Sequence, residues 1–153
     1  MKLLLSIKPE YSEKILSGEK KFEFRKRKPK KIVDQVFIYE SHPTQNIVGW
    51  FKVKEIHSGS PQEIWKQCKD SGGIEEKKYL NYCNGSRLIY AIEIDETRKL
   101  VNPIDPFEIF SDFKPPQSFS YLEDSIINNA LGKKDLLIHE NQYVEHSLLD
   151  FGS

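Results

Sequence analysis

Apolar positions along the chain change period several times, and each change marks an element. The run Lys2-Leu3-Leu4-Leu5-Ser6-Ile7 is short and apolar, which predicts a buried strand. Pro9 then suits a first helical turn, where its missing N–H would be unpaired anyway. Tyr11, Ile15 and Leu16 form that helix's apolar stripe, and Gly18 supplies its left-handed stop. From Lys20 to Arg25 the period falls to two: Phe22 and Phe24 point one way, Lys21, Glu23 and Arg25 the other. Pro29 and its neighbouring lysines predict a loop. Val33 to Glu40 and Ile47 to Ile56 read as two further strands, rich in β-branched and aromatic residues. Ser41-His42-Pro43-Thr44 joins them with turn chemistry, and Gly49 marks a bulge or a close backbone approach.

Ser60-Pro61-Gln62-Glu63 has the makings of a capping box, with Ile64, Trp65 and Cys68 as the stripe of the helix it opens. Gly72-Gly73 ends it. A second short helix from Ile74 presents Tyr79, Tyr82 and Cys83 before Gly85 stops it. Arg87 to Asp95 alternates Leu88, Tyr90, Ile92 and Ile94 on one face, as a strand does. Pro103, Pro106, Pro115 and Pro116 predict turns. Ser120-x-x-Glu123 is expected to open a last amphipathic helix containing Leu122, Ile126, Ile127, Ala130 and Leu131, closed by Gly132. The final twenty residues are mildly acidic and weakly patterned, with a docked segment expected around Leu136 to His139. Five strands among short helices, with hairpins and no regular βα alternation, predict an α+β domain around a small bent sheet or barrel.

Composition narrows the class. A chain of 153 residues with 38% apolar positions can bury one real core. Leu3 to Leu5 is too short for a signal-peptide core, and no stretch approaches the ~20 apolar residues needed to span a bilayer. A cytoplasmic protein with no membrane partner is expected. Cys68 and Cys83 lack CxxC spacing and read as buried free thiols. His42, His57, His139 and His146 are scattered, so neither a metal nor a cofactor is expected. The formal charge is zero overall but uneven. Residues 1–31 hold eleven Lys or Arg against four Glu, a balance of +7, and the remainder carries −7. A basic N-terminal portion suggests a polyanion-facing surface, with nucleic acid the first suspect.

The chemistry concentrates after the first helix. Gly18 turns the chain so that Lys20 stands at the mouth between helix and strand, with Glu23 and Arg25 along the strand's polar face, roughly 7 Å apart. Arg offers a flat fork of donors and Lys a point charge, both able to meet a phosphate or a base edge. Glu23 can accept from an exocyclic amine, hold Arg25, or take a proton. The plain alternative is a solvated face of ion pairs, each contributing ~0–1 kcal/mol. Lys21, His42 and Arg87 are further candidates for ligand contact. Tyr39, Trp50, Tyr79, Tyr82 and Tyr90 can stack on bases or serve as core.

The stretch "LLLSIKPEYSEKILSGEKKFEFRKR" resembles the opening of ASCH domains, a branch of the PUA-like superfamily. Their signature, Gly-x-Lys-x-x-Glu-x-Arg, is matched here by Gly18, Lys20, Glu23 and Arg25. The similarity continues through "VFIYES", "IVGWFKV" and "YLNYCNGSRLIYAIEI", and covers about residues 1–100. Residues 101–153, with the "PPQSF" segment and last helix, are similar to an extension found in a bacterial subset of predicted regulators. The resemblance implies a PUA-like β-barrel of five to six strands with a cleft beside the first helix. It implies RNA or a modified nucleoside or nucleotide as ligand. A regulator whose tail from Pro115 onward contacts a protein partner is a further reading, compatible with that one. The family also includes proposed ribonucleases and a 4-acetylcytidine amidohydrolase with catalytic lysine, threonine and glutamate. The lysine matches Lys20 and the glutamate falls near Glu75 or Glu76, but the threonine's position holds Glu23. That departure favours an RNA- or nucleotide-binding module, with hydrolysis through Lys20, Glu23 and Glu75 as the alternative.

Overall fold

The computed structural model describes residues 1–132. The chain runs β1 (Lys2–Ile7), α1 (Pro9–Leu16), β2 (Phe22–Arg25), β3 (Gln35–Glu40) and β4 (Asn46–Gly59). It continues through α2 (Pro61–Cys68), a 3-10 turn (Lys69–Ser71), α3 (Glu76–Cys83) and β5 (Ile89–Ile104). A second 3-10 turn (Pro106–Glu108) leads to β6 (Phe119–Leu122) and to helix α4 over 124–132. Pro9 and Pro61 start their helices as expected, and Ser60 and Glu63 form a full capping box at α2.

Among the described residues, six strands make the one mixed sheet of an α+β fold, in the order β2-β5-β4-β3-β1-β6. Only β1 and β3 pair in parallel; the other neighbours are antiparallel. Register slips within the β3–β4 and β4–β5 ladders add local bend and twist. The expected barrel is not closed. The β1 strand already has β3 on one side and β6 on the other, so among the described residues edge strand β2 finds no strand partner across the seam. A side chain crosses that seam instead: Arg25 of β2 donates to the carbonyls of Ser6 in β1 and Ser118 just before β6.

Among the described residues, three apolar clusters hold the layers. Leu3, Leu5 and Ile7 meet Val36, Ile38, Phe51 and Ile92 against Ile15 of α1. Leu4, Phe37, Trp50 and Leu100 pack with Ile127 and Leu131 of α4. Phe24, Ile89 and Ala91 pack with Ile64, Cys68, Tyr79 and Cys83 of α2 and α3. The Ser12 hydroxyl donates to the Glu40 carboxylate, tying α1 to the end of β3.

Four local expectations are revised. Both faces of β5 are covered, so Ile89 and Ala91 are buried while Leu88 stands 46% exposed. The strand also runs on through Pro103 to Ile104; a proline is tolerated where the ladder does not need its N–H. Ser120 caps no helix but lies in β6, because the free edge of β1 takes up residues 119–122. The expected boundary at residue 100 falls inside β5. The docked segment expected around Leu136 to His139 lies outside the described residues.

Candidate functional site

Gly18, at φ 87°, reverses the chain after α1, and the Lys20 N–H returns to the carbonyl of Lys14. This turn drives the Lys20 side chain inward. Lys20 is not at the rim, where the sequence pattern puts it; it is 2% exposed and forms the floor of a cavity. Its Nζ donates to the Gly72 carbonyl at 2.5 Å and lies 3.8 Å from Glu23 Oε1. The rings of Phe24 and Tyr11 flank it, with centroids 4.8 and 5.5 Å away. Gly73, at φ 63°, makes room: a Cβ there would sit 2.6 Å from Lys20 Cβ. Burial pulls the Lys20 pKa below its ordinary value; the attraction of Glu23 opposes this, and Lys14 and Arg25 reinforce it.

Glu23 is 7% exposed. Its Oε2 accepts from Arg25 Nε at 3.0 Å and Nη2 at 2.7 Å. Arg25 Nη2 also donates to Ser6 O at 3.0 Å, and Nη1 to Ser118 O at 3.1 Å. A guanidinium has five N–H donors, and four of them point at protein. Arg25 therefore works chiefly as a clamp that orients Glu23. That leaves Glu23 Oε1, beside the Lys20 amine, as the acceptor facing the cavity.

The cavity measures about 610 Å³ and opens at the sheet seam between α1, β1, β2 and α3. Tyr11 and Tyr82 contribute aromatic wall, and Lys8 and Lys78 contribute cations. Lys78 also pairs with Glu10 at 3.4 Å. Just beyond, Lys26 Nζ lies 5.0 Å from the Tyr82 ring centroid.

The structure thus gathers Lys20, Glu23 and Arg25, with Tyr79 and Tyr82 also in the cavity lining, and leaves the other candidates outside it. The Lys21 side chain is exposed, while its backbone bonds Ser71 and Ile94. Glu75 and Glu76 are exposed at the start of α3. His42 is exposed in the β3–β4 turn, next to a cis bond to Pro43. Arg87 is exposed after α3. Tyr39, Trp50 and Tyr79 are core. Sequence reasoning missed Ser6, Gly72 and Ser118, which act through backbone carbonyls and carry no side-chain signal. It also missed Lys8 and Lys78. Tyr11 was legible only as part of an apolar stripe.

Comparison with known proteins agrees with this architecture. The ASCH domain family model matches residues 5–104. The ASCH domain-containing ribonuclease of Zymomonas mobilis is 27% identical over 122 residues, covering 78% of this chain and 82% of that protein. Large ribosomal subunit protein uL22 of Ureaplasma parvum is 28% identical over 122 residues; the match takes in 79% of this chain but only 39% of that longer protein. The crystal structure of ASCH from Zymomonas mobilis superposes with a TM-score of 0.80 at 25% identity, covering 86% of this chain and 94% of that one. With the signature residues gathered at one cavity and the family model spanning most of the sheet, the chain belongs to the ASCH domain family.

Proposed function

We propose that this protein is an RNA-binding module that holds a ribonucleotide in the cavity at the sheet seam. The observation that carries this reading is the Lys20–Glu23 pair, desolvated at the cavity floor and locked by Arg25. An ammonium donor and a carboxylate acceptor 3.8 Å apart complement a base edge that sets an amino group beside an acceptor. Tyr11 and Tyr82 offer aromatic surface, where stacking contributes ~1–3 kcal/mol per base. Lys8 and Lys78 stand where phosphates would pass. The volume lies within the ~300–1,000 Å³ range of ligand pockets. A cytoplasmic site of action belongs to the same reading; among the described residues no helix is long and apolar enough to cross a membrane. The extension already contributes Ser118 to the site, and a protein partner on its remaining surface is a separate part of the proposal.

A second reading, a ribonuclease, draws on the lowered pKa of Lys20. An amine freed of its proton can take the 2′-hydroxyl proton of a bound ribose. The Zymomonas mobilis relative is named a ribonuclease. The amidohydrolase alternative has less to stand on, since Glu75 is exposed and outside the cavity lining.

One experiment separates these readings. Short labelled single-stranded RNAs and ribonucleosides, 4-acetylcytidine included, are titrated against wild type and Lys20→Ala, and their integrity is followed over time. RNA binding should weaken with salt, with a log–log slope of about −0.7 per phosphate contacted, and Lys20→Ala should lose affinity. Intact RNA supports the module; cleavage lost in Lys20→Ala supports the nuclease. Salt-independent binding, equal in both proteins, overturns the cleft assignment.

A further inference from the structure

We propose that Glu55, His57 and Glu93 form a binding site for a divalent transition-metal ion of the zinc class, clipping β4 to β5. Glu55 and His57 are two residues apart on β4 and so share a face of the sheet. Glu93 of β5 stands opposite Glu55 in register, and the ladder slips between Val53 and Glu55. Bulges of this kind re-aim side chains. Two carboxylates placed directly opposite repel one another; Lys54 offsets part of this at Glu93, and a metal ion held between the two would offset the rest.

The geometry supplies a mixed nitrogen and oxygen donor set. His57 Nε2 lies 2.7 Å from Glu93 Oε1 and 3.9 Å from Glu55 Oε2. One ligand atom from each residue falls within 4.8 Å of the others. Zinc bonds of ~2.0–2.2 Å set tetrahedral ligand atoms about 3.4 Å apart, between the two observed separations. The side chains of His57 and Glu93 are 18% and 22% exposed, while that of Glu55 is 67% exposed and leaves the outer side open for ion entry.

Outer contacts, made by residues that are not themselves ligands, orient the set. The Gln67 side-chain amide nitrogen, from α2, lies 3.2 Å from His57 Nδ1. With that amide turned over so that its oxygen faces the ring, it would accept Nδ1–H and free the Nε2 lone pair for the ion. Lys54 Nζ, 3.5 Å from Glu93 Oε2, occupies the oxygen that the ion does not need. The Phe22 ring meets His57 edge-on at 6.2 Å and screens one side. One imidazole with two carboxylates suits zinc-like ions, whereas magnesium prefers an all-oxygen octahedron. Histidine spacing along the chain gave no sign of this set, because the third ligand comes from a neighbouring strand.

The test is calorimetric titration of Zn²⁺ into the metal-stripped full chain with millimolar Mg²⁺ present. The expected result is one equivalent bound despite Mg²⁺, lost in His57→Ala and weakened at least tenfold in Glu55→Gln. The proposal is overturned if wild type takes up no Zn²⁺, or if His57→Ala takes up as much as wild type. Circular dichroism checks that His57→Ala is folded. Should it not fold, Glu55→Gln decides, since that side chain is largely exposed; unchanged affinity there also overturns the site.

Discussion

Replacing Arg25 with alanine should break the molecule at its seam. In the folded protein the Arg25 and Glu23 side chains are only 13% and 9% exposed, and their shortest contact is 2.7 Å. Removing one partner of a buried pair costs about 3–5 kcal/mol, because the other charge stays buried without compensation. The adjoining cavity of about 610 Å³ lets water reach Glu23, which places the expected loss near the lower end, about 3 kcal/mol. For a domain of this size, 1 kcal/mol corresponds to ~2–4 °C, so Tm should fall by roughly 6–12 °C. Urea unfolding followed by the fluorescence of Trp50 and Trp65 measures the change. Adding Glu23→Gln to Arg25→Ala should recover part of the loss, since a neutral amide needs no counter-ion. We expect a coupling of about 2 kcal/mol from the double-mutant cycle. A loss under ~1 kcal/mol, or strict additivity, would refute the clamp.

Lys20 predicts a pH effect whose sign follows from burial. Its lowered pKa means that the folded state binds the proton less tightly than the unfolded chain. Stability should therefore rise as pH climbs from the folded-state pKa towards the ordinary 10.5. The stability difference between Lys20→Met and wild type should shift in favour of wild type over that window; a pH-independent difference contradicts it. Gly73→Ala and Gly85→Ala both force a left-handed backbone, at φ 63° and 80°, and each should lose ~1–2 kcal/mol for that alone. A Cβ on Gly73 also strikes Lys20, whereas one on Gly85 meets open space, so chemical denaturation should show the larger loss at Gly73 and RNA titration a defect only there. Ser60→Ala removes the capping box of α2 and should lower stability by about 1 kcal/mol in a thermal melt, with no change in ligand affinity.

Elements governed by their own residues are legible in the chain itself. The shift to period two at Lys20 to Arg25, Pro9 and Gly18 bounding α1, and the Ser60–Glu63 box all act through sequence neighbours. The same locality brings Lys20, Glu23 and Arg25 forward as a group. Ser120 shows the limit. Its capping pattern is real, but the open edge of β1 is a stronger partner and draws residues 119–122 into the sheet. The strand alternation expected for Arg87 to Asp95 misses the burial of Ile89 and Ala91 for a related reason: it assumes one covered face, and α2 with α3 covers the other.

Composition and spacing alone determined an α+β chain with a basic beginning and a three-residue cluster of opposite charges. Tertiary structure decided what those charges face. Arg25 ends on carbonyls 19 and 93 residues away, and Lys20 lies beneath a glycine pair 52 residues on. A backbone carbonyl is chemically the same in every residue, so no pattern of side chains can announce which one a guanidinium or an ammonium will reach. That choice is made only when the strands take their register and the sheet curls far enough to bring its edges within reach of one side chain.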